Sequence, residues 1–279
     1  MTLVEVNRLR LHVERQGSGP PLLLLHGFTG SGAAWAPQVA ALSRRFDVVA
    51  VDLIGHGRSD APADPARYRM EPAVADLVAL LDRLEIERVA VLGYSMGGRV
   101  ALHLALAAPG RLSALVLESA SPGIDDAGER LARVRSDEAL AARIERDGVA
   151  AFVDEWERIP LFASQARLPA EVWERQRAQR LAGSATGLAN SLRGMGAGAM
   201  APAGGRLGEL ALPVLLVVGE LDVKYVALAR EMAAAIPDAR LAVVPDAGHS
   251  VHLEQPAAFA EIVLGFLEDA GRGTGRGAG

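Results

Sequence analysis

Six short, mainly apolar runs of residues recur along the chain, and glycine, proline or polar residues follow each of them. Such a run between turn signals is typical of a strand buried on both faces of a parallel sheet. An earlier segment, residues 3–14, alternates apolar and polar side chains, which predicts an opening hairpin that turns at Asn7 and Arg8. The six predicted buried strands cover residues 22–25, 48–51, 89–92, 112–117, 214–218 and 241–244.

Helical patterns alternate with these strands. Residues 71–84 carry apolar side chains at three- and four-residue spacing, which predicts an amphipathic helix. Further helices are predicted over residues 35–42, 96–108 and 256–267. Because strands and helices alternate, we expect an α/β protein with a mainly parallel central sheet and helices on both of its faces.

The pattern changes between residues 124 and 205, where buried strand runs stop and helical, arginine-rich sequence takes over. This stretch interrupts a single sheet, so we predict a helical cap over residues 124–205 that covers the carboxyl edge of the strands. The core then consists of residues 1–123 and 206–270. The glycine- and alanine-rich residues 194–208 are expected to be loop-like, and residues 271–279 to form a disordered tail.

A Gly-x-Ser-x-Gly motif at residues 93–97 lies between a predicted strand and a predicted helix. In that context the motif forms a nucleophile elbow, a sharp turn that exposes the serine hydroxyl. The turn leaves the backbone N–H of Met96 at a helix N-terminus, where it can donate to a developing anion. We expect Ser95 to be the reactive group, with Phe28 of the His-Gly-Phe turn providing the second oxyanion donor.

An elbow serine needs a base and an acid that orients the base. In proteins with a nucleophile elbow, the acid follows the serine along the chain and the histidine follows the acid. Asp222 and His249 each come just after the carboxyl end of a predicted buried strand. The carboxyl ends of parallel strands are where catalytic groups gather. We therefore predict a Ser95–His249–Asp222 triad on an α/β-hydrolase fold. His56 precedes Ser95, so we expect it to brace its loop.

Composition excludes several classes of protein. The 279-residue chain has a net charge of −5, which argues against a nucleic-acid partner. It contains no cysteine, so disulfides and thiolate metal sites are impossible. No apolar run is long enough for a transmembrane helix, and the first residues do not form a signal peptide pattern. We expect a cytoplasmic protein, a monomer or small homo-oligomer, without metal or organic cofactor.

Several stretches resemble the menaquinone-pathway family 2-succinyl-6-hydroxy-2,4-cyclohexadiene-1-carboxylate synthase. The similarity runs from about residue 20 to residue 268. The most diagnostic features are the arginine after the elbow glycines, the ESASPG stretch with its arginines, and WERIPLF in the cap. The similar stretches are LHGFTGSGAAW (25–35), GYSMGGRVAL (93–102), LESASPGIDDAGERLARVRSD (117–137), FVDEWERIPLFASQ (152–165), SLRGMGAGAM (191–200), GELDVKY (219–225) and AGHSVHLEQP (247–256).

The resemblance implies a lyase that eliminates pyruvate from a cyclohexene polycarboxylate to give a conjugated diene. In that family the triad serine acts as a base, and the oxyanion hole holds an enolate. The resemblance also implies a set of substrate-binding residues. Arg130 or Arg135 could take the place of Arg133, and Arg177 that of Arg180. The implied substrate-binding residues are Tyr94, Arg99, Arg133, Trp156 and Arg180.

Two other functions use the same features. A serine hydrolase, either a carboxylesterase or a hydrolase of carbon–carbon bonds in ring-fission products, would use the same triad. The arginine-rich cap argues against an esterase, because esterase substrates are usually neutral. A non-catalytic receptor on the same fold could also keep an intact triad. Each cap arginine, taken alone, is more often a solvated surface residue than a ligand.

Overall fold

The structure is a computed structural model that describes residues 2–274, with no side-chain description for residues 273 and 274. Its framework is one sheet. The strands are β1 (Thr2–Val6), β2 (Leu9–Gln16), β3 (Pro21–Leu25), β4 (Asp47–Val51), β5 (Val89–Tyr94), β6 (Leu112–Glu118), β7 (Val214–Gly219) and β8 (Ala239–Val244). They lie side by side in the order β1-β2-β4-β3-β5-β6-β7-β8.

The predicted hairpin and the predicted parallel sheet are both confirmed. Strands β1 and β2 pair in antiparallel register, and the turn between them places Asn7 and Arg8 at φ 47° and 64°. Two consecutive left-handed residues are typical of the tight turn that matches the twist of a hairpin. Strand β2 also pairs antiparallel with β4, and every pair from β4 through β8 is parallel.

Successive side chains of a buried strand point to opposite faces of the sheet, so both faces of this sheet are apolar. Helices cover each of them. In β3, Leu23 and Leu25 pack into one apolar cluster, and Leu22 and Leu24 pack into another. The core helices are α1 (Ala36–Leu42), α2 (Met70–Arg83), α3 (Met96–Ala107), α7 (Val223–Ala235), α8 (Val251–Glu254) and α9 (Pro256–Thr274). Helices α2, α3 and α7 cover the first cluster, and α1 and α9 cover the second.

Helical structure fills the segment between β6 and β7 that the sequence identifies as a cap. Its helices are α4 (Ala127–Trp156), α5 (Ala170–Leu181) and α6 (Ala185–Met195), with a 3₁₀ helix at Pro160–Arg167. Helix α4 is interrupted at Gly148, whose φ of 84° and ψ of 167° only glycine adopts readily. Apolar residues of α4 and α6, among them Ile144 and Leu188, form a separate small core.

Three local differences from the sequence predictions concern helices outside the predicted ranges. Residues 194–208 are not entirely loop-like, since a 3₁₀ helix occupies Gly204–Glu209. Helix α7 follows β7 and has no counterpart among the predicted elements. The last helix continues to Thr274, four residues into the predicted disordered tail, and an exposed Asp269–Arg272 ion pair lies on this final part of the helix. The rest of that tail, 275–279, lies outside the described residues.

Candidate active site

The elbow forms where β5 meets α3, and it is strained. Ser95 has a φ of 51° and a ψ of −108°, a conformation that costs a non-glycine residue about 1–3 kcal/mol. The glycines on either side are required by close backbone approach. A Cβ at Gly93 would overlap the carbonyl oxygen of Gly97, and a Cβ at Gly97 would overlap that of Leu25. The sharp turn that these glycines allow presents the hydroxyl of Ser95 at the carboxyl edge of the sheet.

Ser95, His249 and Asp222 meet at that edge although they are distant in sequence. The hydroxyl Oγ of Ser95 lies 3.0 Å from Nε2 of His249. Nδ1 of His249 lies 2.7 Å from Oδ2 of Asp222. A carboxylate can only accept, so the imidazole carries its proton on Nδ1 and leaves Nε2 free to take the proton of Ser95. This is the geometry of a nucleophile, a base and an orienting acid.

The loop that carries His249 is held from within. The carboxylate of Glu254 accepts from the backbone N–H of Gly248 at 2.8 Å and from that of Ser250 at 3.2 Å. Because these two residues flank His249, one carboxylate fixes the backbone on both sides of the imidazole. No sequence pattern singles out Glu254, because a carboxylate six residues after Gly248 is not a recognised motif.

Two backbone donors are available for an oxyanion near Ser95. The N–H of Ser95 itself donates to the carbonyl of Glu118 at 2.8 Å, so it is already used. Within residues 2–274, the N–H groups of Phe28 and Met96 have no hydrogen-bond acceptor. Met96 begins α3, where the first N–H groups of a helix have no partner within the helix. The two predicted oxyanion residues thus both retain a free donor.

A cavity, which we call the Arg180 cavity, lies beside the triad between the core and the cap. Arg180 is only 7% exposed, although guanidinium groups are rarely buried without a purpose. Its Nη1 donates to Glu157 at 3.1 Å, and its guanidinium lies 5.4 Å from the ring centre of Phe162. The cavity is lined by Phe28, Tyr94, Ser250, Phe162, Gln176 and Arg180, among others.

A second basic group, the Arg99 cluster, consists of Arg99, Arg133, Asp137 and Tyr225. Arg99 lies one turn after Ser95, and its Nη2 donates to the backbone carbonyl of Met195 at 3.0 Å. Its Nε is buried without an acceptor. Burial lowers the pKa of Arg99, and the nearby Arg133 guanidinium lowers it further. An anionic ligand would satisfy the free Nε and offset the cost of burying the charge of Arg99.

Asp137 partly balances the charge of this cluster. Its Oδ1 accepts from Nε of Arg133 at 2.8 Å, and its Oδ2 is buried without a donor. Burial raises the pKa of Asp137, while the charges of Arg133 and Arg99 lower it. The ring of Tyr225 packs against His249, so the cluster extends to the triad itself.

The structure separates the cap arginines that the resemblance left interchangeable. Arg130 donates to the backbone carbonyls of Ile124 and Asp125, and Arg135 is exposed. Arg177 forms ion pairs with Asp154 and Glu157. Arg133 is also exposed, but it pairs with Asp137 in the Arg99 cluster. Arg180 also pairs with Glu157, but it is buried and lines the Arg180 cavity. We therefore retain Arg133 and Arg180 as the candidate ligands.

Trp156 and Tyr94 lie in the aromatic wall beside these groups. The indole of Trp156 contacts Phe28 and Phe162 with ring centres 5.5 and 5.7 Å apart, and its Nε1 is buried without an acceptor. The hydroxyl of Tyr94 lies 2.6 Å from Oγ of Ser250, and burial raises the pKa of this phenol. The indole N–H of Trp156 is thus a second unused donor in addition to the Nε of Arg99.

His56 lies behind this wall and has a structural role. Its Nδ1 donates to the carbonyl of Ile54 at 3.0 Å, and its ring contacts His26 and Phe28. Burial lowers the pKa of His56 to about 3, so the ring is neutral near pH 7. The expectation that His56 braces its loop agrees with these contacts.

The described residues offer neither a metal-binding cluster nor a membrane-spanning segment. In residues 2–274 no three His, Asp or Glu side chains are grouped so that they could hold a metal ion. In the same range, every helix is too short or too polar to cross a bilayer.

Comparisons with known proteins give the family. A family model described as alpha/beta hydrolase fold matches residues 20–256. A Bacillus subtilis (strain 168) protein with the provisional name 2-succinyl-6-hydroxy-2,4-cyclohexadiene-1-carboxylate synthase is 44% identical over 91% of this chain and 92% of its own length. The synthase of the same name from Serratia proteamaculans is 32% identical over 94% of this chain and all of its own.

Solved structures agree with these relatives. The structure of MenH from S. aureus is 34% identical, with a TM-score of 0.89 over 93% of this chain and 98% of that chain. A malate-bound thermophilic esterase from Thermogutta terrifontis is 29% identical, with a TM-score of 0.84 over 96% and 97% of the two chains. The protein thus has an α/β-hydrolase fold with a cap insertion and belongs to the 2-succinyl-6-hydroxy-2,4-cyclohexadiene-1-carboxylate synthase family.

Proposed function

We propose that the protein is a carbon–oxygen lyase of menaquinone biosynthesis. Its substrate is 2-succinyl-5-enolpyruvyl-6-hydroxy-3-cyclohexene-1-carboxylate, and its products are pyruvate and 2-succinyl-6-hydroxy-2,4-cyclohexadiene-1-carboxylate. Membership of the synthase family supports this assignment, and so does a triad flanked by arginines. Such a site suits a substrate that carries three carboxylates.

The reaction begins with removal of the ring proton next to the succinyl ketone. The hydroxyl oxygen of Ser95 takes this proton as its own proton passes to Nε2 of His249, and Asp222 stabilises the imidazolium that results. The electron pair of the broken C–H bond moves onto the ketone oxygen and forms an enolate. The N–H groups of Phe28 and Met96 donate to that oxygen, where the negative charge develops.

The enolate then collapses and expels the leaving group. Its electrons form a ring double bond, the existing ring double bond shifts by one position, and the ring C–O bond to the enolpyruvyl group breaks. The proton held on His249 passes to the departing enolpyruvate, which becomes pyruvate. The ring is left with two conjugated double bonds, and the triad returns to its starting protonation state.

The arginines bind and orient the substrate in this scheme. Arg180, in its cavity, and Arg99 with Arg133, in their cluster, provide guanidinium groups in two separate places. Phe162, which contacts Arg180, and Tyr225 of the Arg99 cluster both pack against the ring of His249. These two anchoring points fix the cyclohexene ring of the substrate between them and hold its acidic C–H bond at Ser95. Binding energy from the carboxylates thereby accelerates the proton transfer. Tyr94 and Trp156 complete the walls.

One observation carries the assignment most directly, which is that a buried guanidinium group one turn after Ser95 retains an unused donor. Nε of Arg99 has no acceptor, and Arg180 is almost fully buried. Unsatisfied buried donors of this kind cost stability, so they are expected where a ligand completes them. A pocket for a neutral ester would not need them.

Ester hydrolysis is the second candidate, because the triad and the oxyanion donors are those of an acyl-transfer enzyme. The similarity to the Thermogutta esterase also favours it. The two candidates differ in what Ser95 does, since a hydrolase forms an acyl-enzyme and the lyase does not. A burst of product in pre-steady-state kinetics is the mark of the acyl-enzyme.

The test is turnover with product identification. The substrate is generated in situ by the preceding pathway enzyme, and pyruvate and diene absorbance are followed together, with p-nitrophenyl acetate assayed in parallel. We expect one pyruvate for each diene and negligible ester cleavage. Ester cleavage without elimination would replace the lyase by a hydrolase, and the absence of both reactions would favour a binding protein.

We further propose that this reaction takes place in the cytoplasm and is carried out by a monomer or small homo-oligomer without a cofactor. The acid–base groups of the elimination are all side chains of this chain. The helical cap, residues 124–205, is proposed as the unit that closes over the substrate, because it contributes Arg133, Trp156 and Arg180.

A further inference from the structure

A continuous chain of hydrogen bonds crosses from the cap to the core beside His249. Nη2 of Arg180 donates to Oε1 of Gln165 at 3.5 Å, and Nε2 of Gln165 donates to Oγ of Ser250 at 2.9 Å. Oγ of Ser250 lies 2.6 Å from the hydroxyl of Tyr94. Gln165 and Ser250 are 5% and 1% exposed, so the bonds of Gln165 are shielded from bulk water, while Tyr94 is half-buried.

The direction of the first two bonds is fixed by chemistry. A guanidinium group can only donate, so the amide oxygen of Gln165 must face Arg180 and its NH₂ group must face Ser250. Oγ of Ser250 therefore accepts from Gln165. Arg180 thus sets the orientation of Gln165, and Gln165 in turn makes the hydroxyl oxygen of Ser250 a hydrogen-bond acceptor.

The number of hydroxyl protons determines what the Tyr94–Ser250 pair can donate. Ser250 and Tyr94 have one hydroxyl proton each, and only one of the two can lie between their oxygens. If Tyr94 donates to Ser250, the proton of Ser250 is left over; if Ser250 donates to Tyr94, the proton of Tyr94 is left over. Within residues 2–274 neither hydroxyl has another partner, so one O–H donor remains unused in either case.

That donor lies at the Arg180 cavity. Tyr94, Ser250 and Arg180 all line it. A buried O–H group without an acceptor is unfavourable, and a nearby guanidinium favours an anion as the acceptor. A carboxylate in the cavity would accept from the hydroxyl pair and be neutralised by Arg180.

We propose that the Tyr94–Ser250 hydroxyl pair presents one O–H donor to a carboxylate of the substrate bound at Arg180, and that Gln165 positions this pair. Ser250 is thus a further substrate-binding residue, and Gln165 is a positioning residue that acts through it. The inference rests on the proposed function, because that function supplies the carboxylate.

The proton count predicts a specific pattern in a double-mutant cycle. Tyr94→Phe leaves the Ser250 proton to donate to the substrate, and Ser250→Ala leaves that of Tyr94. Each single variant should therefore raise KM only about two- to threefold. The double variant has no donor, and its KM should rise by a further ten- to hundredfold, in the range of a lost hydrogen bond to a charged group. We expect kcat to change less than KM, since the triad is untouched.

Gln165 offers an independent test in which no hydroxyl is removed. In Gln165→Glu the new carboxylate accepts from Arg180 and also from the hydroxyl of Ser250. Tyr94 then donates to Ser250, so neither hydroxyl proton is left for the substrate. Gln176 gives the matched control, because it also binds Nη2 of Arg180, at 3.1 Å, and lines the same cavity. Gln176→Glu adds the same charge to Arg180 without affecting Ser250. We expect Gln165→Glu to raise KM at least about tenfold more than Gln176→Glu.

The outcomes separate this inference from the proposed function. If KM of the double variant equals the product of the single effects, or if Gln165→Glu and Gln176→Glu behave alike, the hydroxyl-pair inference is overturned while the lyase stands. If the wild-type protein releases no pyruvate, the proposed function fails. Binding of the same substrate to the four proteins of the cycle is then measured by calorimetry. There the same non-additive loss supports the inference, and additivity or absent binding overturns it.

Discussion

The rings of His249 and Tyr225 meet edge to face, with their centres 4.6 Å apart. Tyr94 lies against the same imidazole, with the ring centres 5.5 Å apart. The imidazole of His249 is thus held by two aromatic rings as well as by its hydrogen bonds. Because packing already restricts the position of the ring, the main contribution left to Asp222 is the choice of tautomer.

This division of labour predicts the effect of Asp222→Asn. The asparagine keeps the size of the aspartate, and its NH₂ group donates to Nδ1 of His249, which places the ring proton on Nε2. That tautomer cannot accept the proton of Ser95. We expect kcat for pyruvate release to fall about 10⁴-fold with the melting temperature nearly unchanged. A loss of less than tenfold would show that the tautomer is set by something other than Asp222.

Arg99 should act on both binding and turnover. Arg99→Met keeps the apolar stem and removes the charge, so a carboxylate loses its anchor and the reacting carbon its alignment. We expect KM to rise about tenfold or more and kcat to fall as well. Arg206→Met is a suitable control, because Arg206 forms a surface ion pair with Glu209. Wild-type values of both parameters in Arg99→Met would exclude Arg99 as a ligand.

The cap arginines can be tested in matched pairs. Arg133→Ala and Arg180→Ala should each raise KM about tenfold or more, because each removes a guanidinium that we assign to a carboxylate. Arg135→Ala and Arg177→Ala remove an exposed side chain and a cap ion pair, so we expect changes of less than about threefold. Steady-state kinetics of the four variants decides between neighbours on the same helix. A larger effect in either control would reassign that ligand.

Burial of His56 predicts a dependence of stability on pH. Its pKa is about 3 in the folded protein against an ordinary value of 6.5. As the pH falls below about 6.5, the unfolded chain takes up a proton that the folded protein does not, so stability decreases until the folded pKa is reached. The slope from this one group approaches about 1.4 kcal/mol per pH unit.

His56→Asn removes that titration and keeps a donor for the carbonyl of Ile54. Urea unfolding at pH 7, 6 and 5 should therefore show a smaller loss of unfolding free energy in His56→Asn than in the wild type. At pH 5 the difference between the two losses should reach about 2 kcal/mol. Parallel pH profiles would show that His56 is not buried in its neutral form.

The sequence was sufficient to predict the sheet and the meeting of Ser95, Asp222 and His249 at its edge, because both depend on local patterns. Apolar runs identify buried strands, and parallel strands bring their carboxyl ends to one edge. Ser95 lies at the end of β5, and Asp222 and His249 follow β7 and β8 closely. Their meeting therefore follows from the topology.

The surroundings of the triad could not be predicted in the same way. Gln165 and Ser250 are 85 positions apart, and helical periodicity does not say which core residue a cap side chain will meet. Met195 binds Arg99 through its backbone carbonyl, so its side chain gave no signal of this contact. Arg133 and Arg180 were selected by resemblance, and contacts such as the Arg133–Asp137 pair require the folded chain.

The proposed elimination depends on Ser95 acting as its base. The most direct test compares pyruvate release by the wild type and by Ser95→Ala, with the spontaneous decay of the substrate subtracted and circular dichroism used to confirm folding. The role of Ser95 as base predicts a loss in kcat of at least about 100-fold, in the range of general-base catalysis, with KM changed far less. A Ser95→Ala protein that releases pyruvate within tenfold of the wild-type rate would contradict it.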